Sequence, residues 1–299
     1  MTEVPFKAGF AALVGKPNVG KSTLLNAFLK FKLSIVSPKP QTTRHKIMGI
    51  YDAENCQICF LDTPGLLPHP RDPLQSALKH ASRVAARDDA DVLVFLVEPG
   101  IPSEEDLSAF AALSRPDIPA ILALNKIDLP AKPAILDETV RAYSEALKPQ
   151  AVVRVSALKG QGTPELLREI LLRLPESPPF YERGHLSDRW ERFFAAELIR
   201  EQVFELYGEE LPHASAVVIE DFKEGQASPD RVSAILYVER DGQKGIIIGK
   251  KGQDLRALVE KSRRAMEDFL GRRVDLDIWI KVRKNWRKDP RSLKEFGYV

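Results

Sequence analysis

The sequence predicts two domains in series: an α/β domain with a mostly parallel sheet and helices on both faces, then a smaller α+β domain. Three observations predict it. From residue 6 to about 173, apolar strand-like runs alternate with segments of helical spacing. Gly15-Lys16-Pro17-Asn18-Val19-Gly20-Lys21-Ser22 fits G-x-x-x-x-G-K-[ST] between an apolar run and a helical segment, the setting that a phosphate-binding P-loop requires. After a proline-rich break the order becomes helix, strand, strand, helix, glycine turn, helix, strand. The expected limits are 1–174 for the first domain, 175–184 for a semi-rigid linker and 185–299 for the second. A chain of 299 residues is long for one α/β domain and comfortable for two.

In the first half the expected strands are 10–14, 47–51, 57–61, 91–97, 120–124 and 151–155, with helices in most gaps. Ligands of such sheets bind at the carboxyl ends of the strands, so motifs there read as one site. In the P-loop, glycines let backbone N–H groups turn onto a polyphosphate, and the next helix adds its positive end. The nucleotide-binding set on this side runs from Gly15 to Thr23. Lys21 reaches the β and γ phosphates, and the Ser22 hydroxyl can ligate Mg²⁺.

Asp62-Thr63-Pro64-Gly65 follows the third strand. Asp62 is placed to hold Mg²⁺ through water, and the Gly65 N–H to meet a γ-phosphate. In the polar stretch Gln41-Thr42-Thr43-Arg44, a threonine can complete the Mg²⁺ shell, Thr43 in preference to Thr42. Asn125-Lys126-Ile127-Asp128 follows the fifth strand. The Asp128 carboxylate can accept from guanine N1–H and the 2-amino group. Adenine offers neither donor, and a site built on such bonds discriminates by roughly 10⁴–10⁵. The Lys126 stem can lie on the ring, and Asn125 can tie this loop to the P-loop. Ser156-Ala157-Leu158 follows the sixth strand, with the Ala157 N–H aimed at guanine O6.

The ordered set of P-loop, Asp-x-x-Gly, Asn-Lys-x-Asp and Ser-Ala resembles a translation-factor-type GTPase domain of the Ras-like P-loop class. Two details narrow the resemblance. Leu66 stands where a catalytic glutamine often follows Asp-x-x-Gly. The P-loop resembles the Gly-x-Pro-Asn-x-Gly-Lys-Ser loop of bacterial GTPases that lack that glutamine. In several of these the asparagine matching Asn18 helps bind K⁺, which assists hydrolysis. The resemblance implies Lys21, Asn18 and Thr43 as catalytic residues, Ser22, Thr43 and Asp62 as metal ligands, and GTP or GDP, Mg²⁺ and K⁺ as bound species. His69, in the proline-bearing loop after Leu66, is expected as a solvated histidine and not a base.

Asp188 to Tyr207 repeats apolar residues at helical spacing, with Trp190 expected in the core. Residues 216–219 and 232–238 are expected as a strand pair. Ile246-Ile247-Ile248-Gly249-Lys250-Lys251-Gly252 then leads into a helix to about Leu270 and a strand over 274–282. Gly249-Lys250-Lys251-Gly252 resembles the G-x-x-G loop of a KH domain, which clamps about four single-stranded nucleotides. Ile248 to Gly252 are the expected RNA contacts, and the element order matches the type II arrangement. Trp279 faces either core or RNA.

Composition fits this scheme. The two cysteines, Cys56 and Cys59, sit in an expected strand, where positions i and i+3 face opposite sides; they are expected as ordinary strand residues of a reducing compartment. No apolar run reaches a membrane span, and residues 1–5 lack the pattern of a signal peptide. Net charge is +2, yet residues 244–299 carry sixteen Lys or Arg against eight Asp or Glu, +8, which leaves −6 on the rest. A basic end on an acidic body suggests a polyanion partner there.

Taken whole, the chain resembles the family of bacterial Ras-like GTPases that carry a C-terminal type II KH domain. The family implies a GTP-hydrolysing switch that binds the single-stranded 3′ end of small-subunit rRNA and assists small ribosomal subunit assembly, with 281–298 as a basic tail beside the KH domain. It implies a cytoplasmic monomer and leaves open a peripheral contact at the inner face of the cell membrane. The rival is an RNA chaperone whose nucleotide site is mainly structural; intact Lys21, Ser22 and Asp62 argue against it. An RNA-modifying enzyme ranks last, for want of a Cys- or His-based catalytic constellation. Asn125-Lys126-Ile127-Asp128 argues against a kinase or ATPase.

Overall fold

Nine strands and ten α-helices are laid out in two units in a computed structural model that describes residues 5–67, 69–208, 210–225 and 228–298. The first unit takes in the chain to Asp188 except Ile35–Thr42 and Asp72–Leu74, which group with the second unit.

The first unit is built on a six-stranded sheet of order β2-β3-β1-β4-β5-β6. Its strands are β1 (Lys7–Val14), β2 (Ile47–Ala53), β3 (Cys56–Asp62), β4 (Val92–Val97), β5 (Ala120–Leu124) and β6 (Ala151–Arg154). All neighbours are parallel except β2, which runs antiparallel to β3. The central strands are buried on both faces, which is why they read as unbroken apolar runs without alternation. The helices are α1 (Lys21–Leu29), α2 (Pro73–Arg87), α3 (Glu104–Ala111), α4 (Pro133–Leu147) and α5 (Thr163–Arg173). Ser103 and Asp106 close a reciprocal capping box at the start of α3. The strand order reverses at β1, between β3 and β4. This switch point opens a crevice at the carboxyl end of β1, where the P-loop begins.

The stretch expected as a linker is an extended strap on this unit. Ser177 N–H donates to Phe6 O at 3.2 Å, and Phe180 stacks on Phe10 at 5.2 Å. The buried Gln57 Oε1 accepts from Phe180 N (2.8 Å) and Tyr181 N (3.0 Å). Ile50 N then donates to Leu186 O at 2.9 Å. The buried Gln57, second residue of β3, thus has its amide satisfied by the strap and by Asp52. Cys56 and Cys59 are buried free thiols; burial, with nearby carboxylates, raises both, Cys59 to about 12.

The second unit packs α6 (Glu191–Leu206), α7 (Glu210–His213), α8 (Asp241–Ile248) and α9 (Gln253–Leu270) with a sheet of β7 (Ala216–Lys223), β8 (Asp230–Val238) and β9 (Val274–Val282). The order is β7-β8-β9, antiparallel then parallel. Its core joins Leu198, Ile199 and Val203 of α6, Leu258 and Met266 of α9, and Leu276, Ile278 and Ile280 of β9. Within α6 the buried Arg200 donates to both oxygens of Glu197, at 2.8 and 2.6 Å. Lys39, from the Ile35–Thr42 segment, donates to the Tyr207 carbonyl at 2.5 Å and to that of Phe204 at the end of α6.

One expectation is corrected here. Trp190 is not core but 86% exposed. Helix α6 starts one residue later, and the extended backbone of its N-cap, φ −73° and ψ 155°, turns Trp190 out of the apolar stripe. The C-terminal segment, expected as a basic tail beside the second domain, is folded onto it. Trp286 is fully buried, its indole N–H donates to Ala214 O at 2.8 Å, and its ring meets Phe296 and Tyr298. Residues Pro290–Glu295 form α10, capped by Asp289, whose carboxylate accepts from Arg291 N and Ser292 N.

Candidate functional sites: a phosphate crevice and a G-x-x-G groove

The P-loop closes because three glycines stand where a side chain has no room. A Cβ at Gly15 would lie 2.4 Å from Leu96 O, one at Gly20 2.3 Å from Asn125 Nδ2, and one at Gly65 2.5 Å from Pro17 N. Gly20 also has φ +103°. Leu66 N donates to Gly15 O at 2.9 Å, which ties the Asp-x-x-Gly turn to the P-loop. Thr63 Oγ1 secures the same turn to Leu13 O at 2.9 Å. Asn125 Nδ2 donates to Val19 O at 2.8 Å, the loop-to-loop tie expected of it.

Within this frame Lys21 is buried, and its ammonium donates to Gly15 O (3.0 Å) and Lys16 O (2.8 Å). Burial draws its pKa down to about 8, against the opposing pull of Asp62. Ser22 Oγ donates to Asp62 Oδ2 at 2.6 Å, and the Ser22 and Thr43 hydroxyls lie 3.0 Å apart. Thr42 Oγ1 instead donates to Lys39 O at 2.7 Å, so Thr43 is the threonine that faces Ser22. Asp62 is fully buried; desolvation raises its pKa, opposed by the Ser22 hydrogen bond and the Lys21 charge. Its Oδ1 has no hydrogen-bond partner among the described residues. A buried carboxylate oxygen without a donor, beside two hydroxyls, is a hard-oxygen set that fits Mg²⁺.

On the base side, Asp128 is exposed at the end of β5 and forms no hydrogen bond or ion pair with a described residue. Lys126 has φ 62° and pairs with Glu98. Ala157 N–H, expected at guanine O6, donates here to Asn125 Oδ1 at 2.9 Å. It serves the clamp between the β5 and β6 loops; Ser156 beside it is buried and Leu158 is 73% exposed. Lys16 pairs with Asp106 at 2.5 Å, a partner that the P-loop motif does not reveal. Asn18 is exposed at φ 62°. Leu66 belongs to the apolar core, so no polar group stands at the position after Gly65. His69 lies on the surface against Glu105 at 2.6 Å.

In the second unit, α8 ends at Gly249, whose φ 66° and ψ −177° are open only to glycine. A Cβ there would also lie 2.1 Å from Asp254 Oδ2. Lys250 and Lys251 project from a single 3-10 turn, and Gly252, φ +75°, caps α9. Both lysines are exposed and form no ion pair with a described residue. Beyond the loop, Leu255, Arg256 and Val259 of α9 and Asp275 to Ile278 of β9 line a groove that starts at Gly252. These wall residues were not expected from the motif. Their signal was the helical step from Gly252, at i+3, i+4 and i+7. Arg263 lines the far end but is held by Glu260 and Glu267.

Fold and sites define a P-loop GTPase domain joined to a C-terminal KH domain. The chain belongs to the GTPase Era family. It is 43% identical to GTPase Era of Syntrophus aciditrophicus over 297 residues, 99% of this chain and 96% of that protein. It is 42% identical to that of Geotalea daltonii over 299 residues, all of both chains. Residues 10–126 match the 50S ribosome-binding GTPase family model and residues 210–287 the KH domain model. A crystal structure of an Era variant from Aquifex aeolicus bound to GDP.AlF4- is similar with a TM-score of 0.93 and 36% identity, covering 98% of this chain and 100% of that one. A structure of Era in complex with MgGDPNP and nucleotides 1506-1542 of 16S ribosomal RNA is similar at 0.92 and 36%, covering 98% and 99%.

Proposed function

We propose that this protein is a GTP-hydrolysing switch whose KH groove binds the single-stranded 3′ region of small-subunit rRNA and which assists assembly of the small ribosomal subunit. The observation that carries it is the full-length similarity to the Era structure that holds both MgGDPNP and 16S rRNA nucleotides. This chain keeps a phosphate crevice and a G-x-x-G groove in the corresponding two units.

In this proposal Asp128 selects guanine, and the Asn125 clamp holds its loop against the P-loop. Lys21 leaves the Gly15 and Lys16 carbonyls for the β and γ phosphates, which supply the counter-charge that its buried ammonium lacks. Ser22, Thr43 and Asp62 would hold Mg²⁺, which neutralises phosphate charge when bound. Thr43 and the Gly65 N–H converge on the γ-phosphate. Leu66 cannot orient water, so unassisted turnover is slow, on the order of 10⁻⁴–10⁻² s⁻¹. Asn18 is the candidate K⁺ ligand. The proposal takes the protein as a cytoplasmic monomer, with any membrane contact peripheral and at the inner face; among the described residues no helix is long and apolar enough to cross a membrane.

One set of measurements tests this. The full chain should hydrolyse GTP, faster in K⁺ than in Na⁺, and Asn18→Ala should remove that difference. It should bind single-stranded RNA, and Lys250→Asp with Lys251→Asp should abolish that binding while GTP turnover per bound nucleotide persists. A chain that binds RNA normally but never turns over GTP would favour the RNA chaperone.

A further inference from the structure

We propose that Ser34, which lies outside every nucleotide motif, is a positioning residue for the metal site: in the nucleotide-loaded protein its hydroxyl donates to Asp62 Oδ1 and fixes the carboxylate. The inference rests on the Mg²⁺ role proposed above for Ser22, Thr43 and Asp62.

Asp62 Oδ1 and Ser34 Oγ are both buried, and neither has a hydrogen-bond partner among the described residues. Asp62 is fully enclosed and Ser34 is 1% exposed, so neither draws on bulk water. Burial raises the Asp62 pKa, and the Ser34 hydroxyl is one of the groups, with Ser22 and Lys21, that oppose the rise. The hydroxyl therefore lies beside the carboxylate. An acceptor without a donor stands next to a donor without an acceptor. Protein interiors rarely leave such groups unmatched. If Ser34 only filled space, alanine would serve there without burying an idle hydroxyl.

The backbone of Ser34 is tied to the helix that carries Ser22. Asn26 follows Ser22 by four residues on α1, so the two share a helix face. Asn26 Oδ1 accepts from Leu33 N (3.0 Å) and Ser34 N (2.9 Å), and its Nδ2 donates to Ser34 O at 2.8 Å. Leu33 and Ile35, on either side, are buried. With the main chain held in this way, the freedom left to Ser34 is rotation of its side chain. Ser22 already holds Asp62 Oδ2 at 2.6 Å. A donor on Oδ1 would secure the carboxylate at its other oxygen. A carboxylate oxygen has two acceptor sites, so Oδ1 keeps one for a water on the metal. Metal-site carboxylates are commonly oriented by such outer partners, and losing one costs about 10–100-fold in metal affinity.

The test titrates fluorescent GDP onto the full chain over a range of Mg²⁺ concentrations and in EDTA. Ser34→Ala should raise the Mg²⁺ concentration at half-effect about tenfold. In EDTA the variant and the unaltered protein should bind GDP alike. Ser34→Cys keeps the volume with only a weak donor, and should show the same rise as alanine. Urea midpoints without nucleotide should be no lower in Ser34→Ala, because an unpaired buried hydroxyl has been removed. A cysteine variant that responds to Mg²⁺ normally would make volume the cause and overturn the proposal. So would equal losses of GDP affinity with and without Mg²⁺, or an unmoved Mg²⁺ midpoint. If the unaltered protein binds GDP with no dependence on Mg²⁺, the metal assignment to Ser22, Thr43 and Asp62 itself fails, and the role of Ser34 fails with it.

Discussion

Asp128 and Lys21 carry the chemistry that single residues settle. Asp128 is an exposed acceptor with no partner among the described residues, which supports its proposed role in selecting the base. Asp128→Asn should weaken GTP binding and favour XTP, whose C2 carbonyl accepts from the new amide, and competition calorimetry reads the exchange. Equal affinity of the unaltered protein for ATP and GTP would refute the assignment. Lys21 is a buried ammonium held by two carbonyls. Its folded pKa, about 8, lies below the unfolded 10.5. The folded state therefore binds that proton less tightly than the unfolded one. The cost is full below pH 8, fades between 8 and 10.5, and stability of the nucleotide-free protein rises with pH across that window. Lys21→Met should remove this rise and stabilise the nucleotide-free protein at pH 7 by about 1–2 kcal/mol, while abolishing GTP binding. Urea denaturation at pH 7 and 10 without nucleotide checks both; a less stable Lys21→Met at pH 7 contradicts the buried-charge account.

At the scale of elements, the C-terminal segment is a structural member of the second unit. Trp286 is its anchor, fully enclosed and hydrogen-bonded to Ala214. Trp286→Ala should cost about 3–5 kcal/mol through the cavity and the lost indole partner. Chemical denaturation of the full chain should show that cost in the second unit's transition, with GTP affinity retained. A loss under 1 kcal/mol would mean that the segment is only lightly attached. The strap after α5 is the counterpart in the first unit. Its backbone accepts from and donates to Gln57, which explains a buried polar residue near the start of β3.

For the whole molecule, charge placement decides behaviour that no single contact decides. A net +2 conceals +8 in residues 244–299. RNA affinity should therefore fall steeply with salt through released counterions, and GTP affinity at fixed Mg²⁺ should fall far less. Titrations of both ligands between 50 and 200 mM salt, concentrations chosen for this reason, should give clearly different slopes. Equal slopes would mean that the basic end does not contact the polyanion.

The sequence by itself determined where the strands lie along the chain, because doubly buried strands leave unbroken apolar runs, and the phosphate motifs, because backbone approach requires glycine at fixed spacing. It also determined the G-x-x-G loop between two helices. Only the tertiary structure decided where the ambiguous residues went. Trp190 left the core because the helix starts one residue later than its apolar spacing suggests. Trp286 entered the core because α10 folds back, a long-range contact that a run of basic residues conceals. Ala157 gave its N–H to Asn125 because two loops distant in sequence meet at the ends of adjacent strands. Local pattern records which face of an element is apolar; which partner covers that face is set by contacts between residues far apart in the chain.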